Sequence, residues 1–203
     1  SSLSVLRSVN AERRSMVLLF LYEAHLINTT DPIVDLRGAL LEGVMLESAD
    51  LRGAHLAETE MTGAKLDRAN LAGANLSNAN LIESELRGAD LREAALSGAF
   101  LSGAHLRQAD LSRADLSDVL LNNANAVEAR LRGSKLARAN LVNADLSQAR
   151  LQGADLSDAK SKPAHAEGEE QSLKVAEALY NDHTTWPEDF DPQANGARPA
   201  GGD

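Results

Sequence analysis

Histidine, serine and aspartate are the side chains in this sequence that could catalyse a reaction or bind a metal ion. The five histidines are His25, His55, His105, His165 and His183. With the many Ser and Asp residues they could form a Ser-His-Asp triad or a metal site. However, the sequence has no zinc-type ligand spacing, phosphate-binding loop or nucleophile elbow. We therefore predict no catalytic residue, no metal site and no cofactor, and thus no enzyme.

A strict five-residue repeat explains the abundance of Ser and Asp. Steps of five from Leu36 to Leu156 give 25 positions, of which 23 are Leu and the others are Met61 and Ala126. Two residues before each of these positions lies a second row, in which 19 of 24 residues are Ala. The polar residues fill the three remaining positions of each repeat, so their frequency needs no catalytic explanation.

A period of five fits neither an α-helix nor a straight β-strand. On a helix the Leu row would spiral around the whole surface, and on a strand successive Leu residues would point to opposite sides. Burial of one Leu is worth roughly 1.5–3 kcal/mol, so a fold that exposes half of them is not credible. The repeat predicts a polygonal coil with Leu and the small Ala inside and polar residues outside. Glycine is frequent two residues after Leu, where it favours turns.

The triplets Ala-Asp-Leu (49–51, 89–91, 109–111) and Ala-Asn-Leu (69–71, 74–76) resemble the signature of the pentapeptide-repeat family. This resemblance implies an all-β fold, a right-handed quadrilateral β-helix with four pentapeptides per coil. The 25 repeats then make about six coils, in a rod about 30 Å long at roughly 4.8 Å per coil. We assign this rod to residues 31–160.

Residues 1–30 are predicted to form an N-terminal helical cap, because the end of a solenoid exposes unpaired backbone and apolar core. The helix is expected from about Val9 to Ile27, with Asn10 as its N-cap. A helix that lies on a membrane surface is the alternative.

Residues 161–203 form an acidic C-terminal segment, which is also predicted to cap the rod. Within it we expect a polar linker (161–170), a short amphipathic helix (171–180) and a disordered tail (193–203). Trp186 and Phe190 are predicted to cover the last coil. A partner-binding motif is the alternative for these two aromatic residues.

One surface column departs from the polar pattern. Residues 20 apart should stack on one face, and the column concerned contains Leu40, Glu60, Asn80, Phe100, Leu120 and Asn140. Exposed hydrophobic side chains at this position suggest a partner or dimer contact. Alternatively, the C-terminal segment folds back along this face. Both interpretations predict that Phe100 is buried.

The flanks of the repeat resemble one branch of the family, in which segments like residues 11–24 and 185–192 enclose the repeats. This resemblance implies that the chain is the cytosolic C-terminal module of a membrane-anchored bacterial protein. Because the chain begins at Ser1 and not at Met, we expect it to be part of a longer protein. No apolar run approaches the roughly 18–20 residues that a membrane span needs.

The composition favours a cytoplasmic protein-interaction module. The chain has no Cys and a net charge of -10, which disfavours binding to nucleic acid or to anionic membranes. We predict a rigid, non-catalytic rod that presents flat faces to a protein partner, with no small-molecule substrate. A monomer is favoured over a dimer because caps would block both ends. The alternative function, implied by the resemblance to quinolone-resistance proteins, is a DNA-mimicking regulator of gyrase, although Arg residues at 107, 113, 130, 132, 138 and 150 interrupt the acidic stripe.

Overall fold

The computed structural model describes residues 6, 8–30, 32–162 and 172–200. Its helix α1 spans Ala11–Glu23. Two short strands, β1 (Leu179–Tyr180) and β2 (Arg198–Pro199), pair in parallel near the C-terminal end. The repeat between the helix and these strands is joined by single-residue parallel bridges, each of which links a residue to its counterpart four pentapeptides further along the chain.

These bridges build the stacked coils that the five-residue period predicts. Leu71 donates its N–H to the carbonyl of Asp90 at 2.7 Å, and Asp90 donates to the carbonyl of Ala69 at 2.9 Å. The same pair of bonds recurs on each side of the rod. Since each bridge spans one full coil, the prediction of four pentapeptides per coil is confirmed, and the fold is a right-handed quadrilateral β-helix.

A tight turn forms each corner of the coil. At one corner the N–H of Ala74 donates to the carbonyl of Leu71 at 2.9 Å, and Gly73 between them has a φ of +67°. A positive φ at the third residue of such a turn is the pattern of a type II turn. Many corners carry a larger residue in the same conformation, for example Glu83 with a φ of +56°. The stacking of coils therefore imposes the left-handed conformation even where glycine is absent.

The core is the axis of the rod. Leu71, Leu91 and Leu111 are at most 1% exposed, and all the other members of the Leu row are buried as well. The inner Ala row also contains three buried hydroxyl residues, Thr59, Ser84 and Ser134. This packing confirms that the period of five buries its hydrophobic residues by turning the chain.

Helix α1 covers the N-terminal end of the rod. Asn10 is its N-cap, as predicted, and the Asn10 side chain accepts a hydrogen bond from the N–H of Arg13 at 3.0 Å. The hydroxyl of Ser15 accepts a hydrogen bond from the backbone N–H of Met45 at 2.8 Å. This N–H lies at the open edge of the first coil. The helix is shorter than predicted, because the carbonyl of Ile27 accepts a bond from His55 of the rod at 2.6 Å.

The predicted C-terminal helix is wrong over the described residues 172–180. This stretch continues the coil instead: Lys174 bridges to Asp145, and Val175 and Ala178 fill inward positions. The continued coil is favoured over a helix because it forms hydrogen bonds with backbone groups that the last regular coil would otherwise leave without partners. The predicted disorder of 193–203 is also wrong for 193–200, where β2 pairs with β1. Residues 163–171 and 201–203 lie outside the described residues.

Within the described ranges, the structure contains no helix that is long and apolar enough to cross a membrane.

Candidate interaction surface

Each face of the rod presents two columns of outward side chains. The residues directly before and after a core Leu project side by side, since Arg92 donates its Nε–H across Leu91 to Oδ1 of Asp90 at 2.8 Å. Arg52 and Asp50 make the same contact at 2.9 Å. A face therefore consists of one column before Leu and one after it, and each column gains one residue with every coil.

We call one of these surfaces the Phe100 face. Its first column consists of Leu40, Glu60, Asn80, Phe100, Leu120, Asn140 and Lys160, which are bridged in that order. Its second column consists of Glu42, Thr62, Ile82, Ser102, Asn122, Val142 and Lys162. The structure thus brings together three of the predicted contact residues, Leu40, Phe100 and Leu120, in one column.

The prediction that the C-terminal segment folds back over this face is wrong for the described residues, whereas burial by a partner stays a prediction for Phe100. Its side chain is 41% exposed, while Leu40 and Leu120 are half-buried. The described part of the C-terminal segment stacks on the end of the rod over the other three first columns, with Lys174, Leu179 and Thr185 as its bridging residues. It therefore leaves the Phe100 face uncovered.

The Phe100 face has an uncharged centre, in contrast to the other faces. From the Asn80 coil to the Asn140 coil, four coils in all, neither of its columns contains an ionisable side chain. On two of the other faces at least three of the corresponding four coils carry a charged residue, and on the face of Asn75, Ala95, Asp115 and Lys135 two of the four do. Charge is limited to the two ends, with Glu60 at one and Lys160 at the other. An exposed aromatic residue inside an uncharged patch is typical of a protein contact surface.

Polar side chains on this face are held in place by local hydrogen bonds. Asn80 donates its side-chain N–H to Glu60 at 2.8 Å and accepts the N–H of Ile82 at 3.3 Å. Ser102 donates its hydroxyl to Asn122 at 2.8 Å. The face is thus ordered before any partner binds, which lowers the entropy cost of association.

The acidic residues on the other faces are largely paired with arginine. Hydrogen bonds from Arg37 lower the pKa of Asp35 to about 2. Bonds from Arg52 and Arg92 likewise lower the pKa values of Asp50 and Asp90. These carboxylates are therefore ionised at neutral pH but neutralised locally by guanidinium groups.

The histidines do not assemble a site within the described residues. His55 and His105 belong to columns on opposite faces, as predicted from their spacing, and His25 and His183 are exposed. His165 lies outside the described residues. No group of three or more histidine, aspartate or glutamate side chains in the described part of the chain could hold a metal ion.

Trp186 and Phe190 lie together at the C-terminal end of the rod. Their rings stack with centroids 5.3 Å apart, and Tyr180 meets the indole edge-on at 5.7 Å. Phe190 is buried and Trp186 is half-buried against the core. The structure therefore places this aromatic cluster where the cap interpretation expects it.

Ile82 and Val142 are members of the Phe100 face that the sequence predictions missed. They follow Leu81 and Leu141, at a position that is mostly occupied by polar or small residues. The signal that could have found them is the column after Leu, since with Val127 they are the large aliphatic residues at that position of the repeat.

The chain belongs to the pentapeptide-repeat family. The sequence model of pentapeptide repeats matches it in eight copies, over residues 35–71, 59–98, 69–108, 89–125, 101–136 and 127–160. No curated protein sequence matches it.

Several solved pentapeptide-repeat structures are similar to it. The protein alr5209 from Nostoc PCC 7120 is 32% identical over 55% of this chain and 84% of its own, with a TM-score of 0.49. HetL from Nostoc sp. strain PCC 7120, which is involved in the regulation of heterocyst differentiation, is 26% identical over 84% of this chain and 89% of its own, with a TM-score of 0.39. The plasmid-mediated fluoroquinolone resistance protein QnrB1 is 16% identical over 70% of this chain and 86% of its own, with a TM-score of 0.41.

Proposed function

We propose that this chain is a non-catalytic interaction module that binds a protein through the Phe100 face. The observation that carries the proposal is the 41% exposure of Phe100 at the centre of an uncharged patch. Aromatic residues surrounded by apolar and neutral polar groups contribute most of the energy in protein interfaces. The stacked backbone makes this surface rigid, so little order has to be gained on binding.

DNA mimicry is the less favoured function for this surface chemistry. A mimic of the phosphate backbone needs a continuous row of free negative charge. Here Asp50 and Asp90 are paired with arginine, and their column turns basic at Arg130 and Arg150. Inhibition or protection of gyrase by micromolar purified protein in a supercoiling assay would support the mimic instead.

A photo-crosslinking residue at position 100 tests the proposed contact in cells that express the full chain. We expect covalent protein adducts from position 100 and few from a matched probe at Ser97, which lies on a neighbouring face. The mass of the adduct then identifies the partner. Equal labelling from both positions, or none from position 100, would contradict the proposal.

A further inference from the structure

We propose that the partner of the Phe100 face is a second copy of this chain, packed antiparallel around a two-fold axis between Phe100 and Leu120. This inference deepens the proposed function and rests on it. The two rods would lie face to face, with the axis in the interface plane and perpendicular to both rods. Such an operation reverses the order of the coils but keeps each column opposite itself.

The hydrophobic residues of the face match under this reversal. Phe100 comes opposite Leu120 of the partner subunit, and both residues occupy adjacent coils of the first column. In the second column, Ile82 comes opposite Val142 of the partner subunit. Each pair occurs twice in the dimer because the interface is symmetric. All four large apolar groups of the central coils therefore find an apolar neighbour.

The polar residues match as well. Asn80 comes opposite Asn140 of the partner subunit, and a side-chain amide both donates and accepts hydrogen bonds. The Asn140 oxygen already accepts the N–H of Val142 at 3.2 Å, which leaves its amide N–H groups for the partner. Ser102 comes opposite Asn122 in the same register.

The ends of the face are complementary in charge. The coil of Glu60 comes opposite the coil that carries Lys160 and Lys162. At the adjoining corner, Glu58 comes opposite Asp158. One subunit therefore contributes two negative charges, and the other contributes one net positive charge, from two lysines and one aspartate. Attraction at both ends therefore favours this register, and salt should weaken it.

A parallel arrangement of the two copies fits less well. Its two-fold axis would run along the rods and would exchange the two columns within each coil. Phe100 would then face Ser102, and Lys160 would face Lys162 of the partner subunit. The pairing of a phenyl ring with a hydroxyl and of two ammonium groups disfavours this alternative.

The size of the face predicts a weak dimer. Six coils at roughly 4.8 Å give a length of about 29 Å, and three residues across give a width of about 10 Å. The resulting patch of about 300 Å² is well below the roughly 800 Å² per partner of a standard interface. We therefore expect weak, reversible association, which crosslinking and sedimentation can detect.

Sedimentation velocity of the full chain over a range of concentrations tests the dimer. The Phe100→Asp variant should raise the dissociation constant about tenfold or more, whereas Ser97→Asp on the neighbouring face should not change it. Glu60→Lys and Lys160→Glu should each weaken the dimer, and their combination should restore it. A chain that stays monomeric up to the highest concentration measured, or a dimer whose dissociation constant does not change with Phe100→Asp, would overturn the inference. The photo-crosslinking test of the proposed function would not be affected by that result.

Cysteine crosslinking tests the register, because the chain has no cysteine of its own. A mixture of the single variants Ile82→Cys and Val142→Cys should form a mixed disulfide dimer under mild oxidation. Each variant alone should form much less, because its two cysteines lie in distant coils of the dimer. Equal yields from the mixture and the single variants would exclude the antiparallel register.

Discussion

The second residue after each core Leu lies in the left-handed region, whatever its side chain. The sequence predicted the turn from the frequency of glycine there. It could not predict that Glu83 or Arg113 adopts the same conformation, because local preference disfavours a positive φ for these residues. The backbone bonds between coils compensate for this local cost.

Two glycines at such corners should respond differently to alanine. Gly63→Ala should cost about 1–2 kcal/mol, the ordinary cost of a left-handed non-glycine residue. Gly98→Ala should cost slightly more, because its new methyl group would also force the exposed side chain of Asn78 in the coil below to turn away. Urea unfolding measures both values. Addition of Asn78→Ala should reduce the cost at Gly98 to that at Gly63, and no reduction would contradict the role of Asn78.

Hydroxyl groups inside the rod offer a second contrast. The Ser84 hydroxyl is buried without a hydrogen-bond partner, whereas that of Ser134 donates to the carbonyl of Leu131 at 2.8 Å. Ser84→Ala should therefore stabilise the fold by about 1 kcal/mol, and Ser134→Ala should destabilise it by about the same amount. Thermal unfolding of the two variants checks the opposite signs. Destabilisation by Ser84→Ala would show that its hydroxyl is paired.

At the level of elements, the repeats were predictable and the C-terminal cap was not. Leu173, Ala176 and Leu179 have helical spacing, which suggested a helix. In the structure Val175 takes the place of a core Leu, Ala178 that of an inner Ala, and Leu179 the half-buried outward position. The sequence between the last regular repeat and residue 172 breaks the five-residue register. The coil that continues from residue 172 can therefore be recognised only from its pairing with the rod in the structure, and not from the sequence.

The N-terminal cap was predictable because its helix carries a capping residue and an apolar surface. Its contribution should depend on Ser15, which is 5% exposed and pairs the N–H of Met45. Ser15→Ala should cost about 1–3 kcal/mol, since it leaves that amide without a partner. Phe20→Ala is the matched control, because Phe20 on the same helix is 65% exposed. Amide hydrogen exchange at Met45 should accelerate in the first variant alone, and unchanged exchange there would contradict this role.

For the whole molecule, the paired carboxylates predict how stability depends on pH. Hydrogen bonds from Arg92 and Arg138 lower the pKa values of Asp90 and Asp118 below 3.8, and Asp35 falls to about 2. A lowered pKa in the folded state contributes stability that is present above the unfolded pKa and disappears as the pH falls through the folded value. Stability should therefore be lost between about pH 4 and pH 2.

Thermal unfolding at a series of pH values measures this loss. The ion pairs are exposed, so each contributes little to the stability of the fold. Salt at about 0.5 M should weaken the pH effect, because the Debye length is then only a few ångströms. Asp90→Asn should unfold at a lower temperature at pH 7 and should lose less on acidification. A melting temperature that rises as the pH falls from about 4 to 2 would contradict this prediction.

The spacing of four pentapeptides per coil determines what changes in chain length the fold can absorb. Loss or gain of four consecutive pentapeptides within the repeat shortens or lengthens the rod by one layer and keeps all four sides aligned. Loss of a single pentapeptide rotates everything downstream by a quarter turn, so that Phe100 would continue the row of a different side. Loss or gain of a number of residues that is not a multiple of five shifts the register of inward and outward positions. Polar side chains would then point into the core of the rod. Tandem duplication and excision in units of one whole coil is thus the one kind of length variation that leaves the surface pattern of this rod intact.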